Sequence, residues 1–230
     1  MILSLIRDLF RGGGIDMPGA AMNILALAFI LFCCMPVHEF AHAWMANKLG
    51  DETPRLAGRL TLNPFAHLDL WGSLLILFVG IGYAKPVPVN PRNMRGGSRK
   101  GLAFTSLAGP VSNVILAFIA ILLFNVLTFF GGNGLAVSYL SIFLEFVADI
   151  NILLAAFNLI PLPPLDGFNI LQAFLPYKAL EFVSRYHDYI RWALLAAVLL
   201  GWLDIPLGLI SAGISFVLSW VAGLPFMFFR

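Results

Sequence analysis

Charge is scarce in this chain. Only 11% of its 230 residues are Asp, Glu, Lys or Arg, against roughly 25% in soluble domains. With 60% hydrophobic residues and a mean hydropathy of +0.90, a water-soluble globular domain is excluded, and the composition is that of an integral membrane protein. Cysteine is nearly missing too. Cys33 and Cys34 are adjacent, point different ways on a helix and read as small core thiols, so neither a disulfide framework nor a cysteine-built metal site is expected. No cleavable signal is expected either. Met1 to Phe10 is apolar, but the small-residue cleavage pattern is poor and Gly12-Gly13-Gly14 follows too soon. Residues 1–16 are therefore expected to form an interfacial amphipathic segment. There is no internal repeat, low-complexity tail, phosphate loop or aromatic-basic pattern. The cluster Arg92, Arg95, Arg99 and Lys100 reads as a membrane-surface patch, and no nucleic-acid partner is expected.

What the chain does have is long apolar runs. Residues 18–47, 102–130, 136–160, 188–203 and 206–229 are each candidates to span about 30 Å of hydrocarbon, the fourth being short. The expected fold is all-α and polytopic, with about five transmembrane helices. A sixth apolar stretch, residues 68–84, is short and carries Gly72, Gly80 and Gly82.

The first run ends in His38-Glu39-Phe40-Ala41-His42. Residues four apart share a helix face, so two imidazoles can converge on one ion with a carboxylate beside them. At this chain's His and Glu frequencies a chance HExxH has odds of about one in a thousand. Two histidines that merely pack are the bland alternative, but ionisable groups at membrane depth are costly and usually functional. A catalytic zinc site takes three protein ligands and leaves a fourth position for water. The third ligand must come from elsewhere, and Asp166 in Asn158-Leu-Ile-Pro-Leu-Pro-Pro-Leu-Asp166-Gly167 is the best candidate. Pro161, Pro163 and Pro164 cannot continue a regular helix, so the backbone unwinds and can aim a carboxylate inward. The competing reading is an ordinary turn with Asp166 as the next helix's N-cap.

For the far ends of the 18–47 and 136–160 spans to meet at one ion, those helices must run parallel. The 102–130 span supplies the one crossing needed, so residues 68–84 should dip in and return as a re-entrant hairpin or loop. Charge agrees. With that dip, Lys48, Arg55, Arg59, Lys85, Arg92, Arg95, Arg99, Lys100, Lys178, Arg185, Arg191 and Arg230 share one face, leaving Arg7 and Arg11 opposite. The crowded face is then cytoplasmic, and helix rise puts the metal in or near the cytoplasmic leaflet.

Asn158 is placed to donate a hydrogen bond to the oxyanion of a tetrahedral intermediate, or to serve as interhelical glue. Asn113 in Ala-Gly109-Pro110-Val-Ser-Asn113 could orient substrate or a metal ligand, or pack helices. His67 is a candidate metal or substrate contact, with a hydrogen-bonded surface anchor as the alternative. Glu145 and Asp149, four apart in an apolar span, should face protein or water.

Taken together, HEFAH, LNPFAHLD with GYAKPVPVNPRNMR, AGPVSN at 108–113 and NLIPLPPLDG at 158–167 resemble the site-2 protease family of intramembrane zinc metalloproteases, in its compact form without PDZ or CBS domains. The likeness covers residues 20–170. One departure is Leu70-Trp71 after Asp69, where compact relatives carry a proline. The resemblance implies one Zn2+ per chain held by His38, His42 and Asp166, water activated by Glu39, and Asn158 at the oxyanion. It also implies transmembrane-helix substrates cut in regulated intramembrane proteolysis, and a prokaryotic inner membrane. The expected organisation is an interfacial segment at 1–16, a metalloprotease core at 17–170, and a linker with two C-terminal spans at 171–230. A catalytically silent zinc-binding scaffold or metal carrier, and an ion transporter, are the alternatives; Glu39 beside both histidines argues against mere storage. The sequence leaves the number of subunits open.

Overall fold

The structure is a computed structural model that describes residues 24–25, 28–69, 72, 84–132 and 134–229. The expected interfacial segment at 1–16, the start of the 18–47 span and most of the 68–84 dip lie outside the described residues. Among those described the fold is all helical: α1 (Met35–Lys48), the short turns α2 (Thr53–Leu56) and α3 (Pro64–His67), α4 (Ser98–Phe130), α5 (Leu135–Asn158), α6 (Asp166–Leu171), α7 (Tyr177–Arg185), α8 (His187–Leu199) and α9 (Asp204–Gly223). α4, α5 and the stretch Asp204–Phe226 are long and apolar enough to cross a membrane. α8, in the fourth expected span, is 13 residues long, or about 20 Å at 1.5 Å per residue.

α4 and α5 form an antiparallel hairpin that turns at Gly132, whose φ of 68° suits a residue without Cβ. Small residues let the two backbones approach closely: Ala117, Ala120, Ala148, Ala155 and Ala156 are all buried. Leu144, Val147 and Ala148 pack on Ala120, while Leu218 of α9 closes on Ala117 and Ile152. The outward faces keep large apolar side chains exposed, among them Ile115, Ile119, Leu123, Phe216 and Trp220. That pattern suits hydrocarbon surroundings better than water.

α1 enters through a π-helical turn at Ile30–Cys34, in which Met35 N–H reaches back to Ile30 O. Pro36 explains it, because its ring lacks an N–H and crowds the carbonyl four residues earlier, so the preceding turn widens. At the other end Gly50, with φ 104°, reverses the chain, and Asp51 N–H bonds Ala46 O at 2.9 Å. The fully buried Asp51 then acts as a clasp. Its Oδ1 accepts from Thr53 N–H and Oγ1 at 3.1 and 2.5 Å and from Asn93 Nδ2 at 3.2 Å, and its Oδ2 takes Asn90 N–H at 2.7 Å. The extended Lys85 to Asn90 segment is thereby tied to the end of α1.

The described residues on either side of the 70–83 stretch meet at one place. Lys85 N–H donates to His67 O at 2.8 Å, and the buried Arg59 guanidinium donates to Ala66 O and, at 3.4 Å, to Lys85 O. His67 and Lys85 thus lie on the same side. α4 therefore makes the only described crossing between α1 and α5, which puts the C-terminal ends of α1 and α5 on one side.

Candidate metal centre

Three elements bring the ligand candidates together. α1 presents His38 and His42 from one face, α4 passes across them, and the unwound Leu159 to Leu165 stretch after α5 delivers Asp166 as the first residue of α6. Gly167 makes that delivery possible, since a Cβ there would overlap the Leu159 and Ile160 carbonyl oxygens. Asp166 Oδ2 lies 3.4 Å from His38 Nε2 and 3.2 Å from His42 Nε2, and the two Nε2 atoms are 3.0 Å apart. No other group of three or more His, Cys, Asp or Glu side chains converges in this way among the described residues.

The triangle has the right size for a divalent ion. Donor atoms about 2.0–2.1 Å from a tetrahedral centre stand about 3.3 Å apart, and the observed sides are 3.0, 3.2 and 3.4 Å. Its chemistry fits as well. His42 Nδ1 faces the Thr105 carbonyl oxygen at 2.7 Å, which can only accept, so Nδ1 carries the hydrogen and the Nε2 lone pair points into the triangle. His38 Nδ1 lies 2.6 Å from Asn113 Oδ1. Gly109 forms the roof, where a Cβ would collide with His42 Nε2 and His38 Cε1. The triad is thus reached by a backbone approach only glycine permits. Half-buried Glu39 sits about 60° around the helix from His42 and about 100° from His38, flanking the triangle.

The other sequence candidates fall in different places. Asn113 stands directly behind His38 and is fully buried. Asn158 turns its amide back onto its own helix, donating to Leu154 O at 3.0 Å. His67 is outside the triad: it is fully buried and its Nε2 bonds Thr61 O at 2.8 Å. It anchors the chain just ahead of Leu68. Glu145 and Asp149 line a cavity of about 200 Å³ between α4, α5 and α9, with Asn125, Ser215 and Ser219. Two contributors were missed in the sequence. Thr105 acts through its main-chain carbonyl, which no side-chain pattern reveals. Asn151, fully buried in α5, accepts from Asn113 Nδ2 at 3.1 Å; the only signal for it is a lone amide in an apolar helix.

An all-helical chain with apolar spanning helices and a His-His-Asp triangle at the end of one of them has the architecture of a membrane metallopeptidase. Comparison with known proteins agrees. The model of peptidase family M50, the site-2 protease family, matches residues 26–137 and 132–201. The chain belongs to that family and is an integral membrane protein. It is 44% identical over 152 residues to "Putative zinc metalloprotease YwhC" of Bacillus subtilis, covering 65% of this chain and 69% of that protein. Rip2 of Mycolicibacterium smegmatis, with the same zinc-metalloprotease description, is 32% identical over 158 residues, covering 66% and 58%. Rip2 of Mycobacterium tuberculosis is 30% identical over 198 residues, covering 80% and 71%. No solved structure gives a significant match.

Proposed function

We propose that this chain is an intramembrane zinc endopeptidase that hydrolyses peptide bonds of transmembrane-helix substrates in or near the cytoplasmic leaflet, as a step of regulated intramembrane proteolysis. The observation that carries the reading is the triangle of His38 Nε2, His42 Nε2 and Asp166 Oδ2. These residues would hold the ion, which when bound supplies Lewis-acid polarisation of the scissile carbonyl and makes water more acidic. Glu39 takes the proton of the attacking water and passes it to the leaving amine. Asn158 donates to the oxyanion after exchanging its bond to Leu154 O. Residues 17–170 form the catalytic core, and 171–230 complete it with a linker and two spans.

Depth supports a site within the membrane but close to its edge. Asn113, level with His38, is 19 residues from the α4–α5 turn at Gly132, or about 28 Å along the helix. In a hydrocarbon core of about 30 Å, a turn at one boundary leaves the triad just inside the other. The positive-inside asymmetry makes that second boundary cytoplasmic, in a prokaryotic inner membrane.

Glu39→Gln tests the reading. Its side chain keeps the size of glutamate but cannot take a proton, so the variant should bind zinc as the wild type does and fail to cleave transmembrane peptides. Undiminished cleavage would sink the mechanism, and stoichiometric zinc without cleavage by either protein would favour a silent zinc-binding scaffold.

A further inference from the structure

The two imidazoles are held by different means. His42 is fixed by one main-chain carbonyl, whereas His38 is fixed by a chain of two buried amides. We infer that Asn151, acting through Asn113, is a positioning residue that locks His38 in the tautomer whose Nε2 lone pair faces the ion. The inference rests on the reading of His38 as a zinc ligand.

The direction of every hydrogen bond follows from one fixed point. Val147 O is a carbonyl and only accepts, so Asn151, 2.7 Å away, must turn Nδ2 toward it. The same nitrogen lies 3.2 Å from Cys34 Sγ, an acceptor there. Asn151 Oδ1 then faces Asn113 at 3.1 Å, so Asn113 must present Nδ2 to it. That leaves Asn113 Oδ1 facing His38 Nδ1 at 2.6 Å, and an oxygen acceptor so placed requires the hydrogen on Nδ1. His38 Nε2 is thereby left bare, pointing at Asp166. Asn113, Asn151 and Cys34 are each 0% exposed, so water offers no alternative partner. Flipping one amide would set two donors or two acceptors against each other in a site of low dielectric, where such mismatches are most costly.

The relay joins three elements. It starts on the α5 backbone, crosses α4 and ends on α1, so the tautomer of His38 depends on those helices being packed together. His38 is competent to bind metal only in the assembled bundle, whereas His42 needs only α4 beside it.

The test uses full-length protein in detergent with histidine labelled by 15N, stripped of metal by a chelator, together with zinc affinity measured by competition. The four histidines are assigned by loss of the His38 signal in a His38→Gln variant. Wild-type His38 should show one tautomer, protonated on Nδ1. Asn151→Leu should give a mixture of tautomers and weaken zinc binding about 10–100-fold, the usual loss when a ligand's orienting partner is removed. Cys34→Ala, which takes away the other partner of the Asn151 amide, should leave both readouts unchanged. Asn151→Ala carries the test if Asn151→Leu does not fold, since it too removes the acceptor of Asn113 Nδ2. Asn151→Asp is the conservative rescue: neutral or ionised, its carboxyl still accepts from Asn113 Nδ2, so His38 should keep one tautomer. A single His38 tautomer in folded Asn151→Leu or Asn151→Ala would overturn the inference. Zinc binding by wild type with no change in Asn151→Leu or Asn151→Ala would defeat the relay alone. Absence of zinc binding by wild type would defeat the metal reading, and the ring-nitrogen spectrum would still decide the relay.

Discussion

Gly109→Ala separates helix stability from metal binding because the two should move differently. Gly109 lies inside α4, where alanine in place of glycine favours the helix by about 1 kcal/mol. Its Cβ, however, would occupy the space of His42 Nε2 and His38 Cε1. Those atoms are the far ends of side chains, so the rings can swing aside, but only by giving up the bonds to Thr105 O and Asn113 Oδ1. Each lost bond costs about 1 kcal/mol net. The metal-free protein should therefore be destabilised by no more than about 1 kcal/mol. Zinc binding should suffer far more, because both imidazoles leave a triangle whose sides are 3.0–3.4 Å. If displacing each orienting partner costs about 10–100-fold in affinity, the combined loss is about 1,000-fold, or about 4 kcal/mol at 1.4 kcal/mol per decade. Zinc competition against a chromophoric chelator measures the second quantity, and thermal unfolding in detergent the first. A folded Gly109→Ala protein that binds zinc within threefold of wild type would refute the placement of Gly109 against the rings.

Three further outcomes are expected. Burial alone would raise the Asp51 carboxyl, but hydrogen bonds from the Thr53 side chain, Asn90 N–H, Thr53 N–H and the Asn93 amide outweigh it and hold the pKa below its ordinary value. The clasp's contribution is thus complete above about pH 4 and lost as pH falls through the lowered pKa. Asp51→Asn should cost about 1–3 kcal/mol near neutrality and flatten the acid side of a melting-temperature profile; an unchanged profile would contradict this. Arg59→Met leaves the Ala66 and Lys85 carbonyls without their buried donor, so stability should fall by about 2 kcal/mol and the Lys85 amide should exchange faster. Equal protection of that amide would show that Arg59 does not hold the ends of the 68–84 excursion. Asn158→Ala should leave zinc affinity unchanged while lowering kcat by about 10²–10³-fold; unaltered kcat would remove Asn158 from the chemistry.

How much of this was legible in the sequence depends on whether the information sits in side chains or in the backbone. His38 and His42 announce themselves by a spacing of four, and Asp166 by the prolines that unwind the chain before it. Parity alone required residues 68–84 to return to the side they left, and the Lys85 to His67 hydrogen bond agrees with that. Gly109 and Pro110 mark by residue type a place where a helix loosens; the closeness of Gly109 to the imidazoles is tertiary and invisible to a local pattern. Thr105 enters through its carbonyl, which every residue type possesses. Asn151 has no motif partner, because its meaning depends on Asn113, 38 positions earlier, lying beside it across the hairpin. His67 could be a metal or substrate contact or a hydrogen-bonded anchor by type alone, and its burial and its bond to Thr61 O fit the anchor. A histidine's type is the same in both settings, and only burial and partner tell them apart.

The most direct test of the central claim is to reconstitute zinc-loaded wild-type protein in liposomes with transmembrane peptides and identify the products by mass spectrometry. One cut within the apolar stretch of a peptide, in the half nearer the basic face, abolished by a zinc chelator and restored by zinc, is the predicted result. Folded protein holding one zinc per chain that leaves every peptide of a broad panel intact would contradict it.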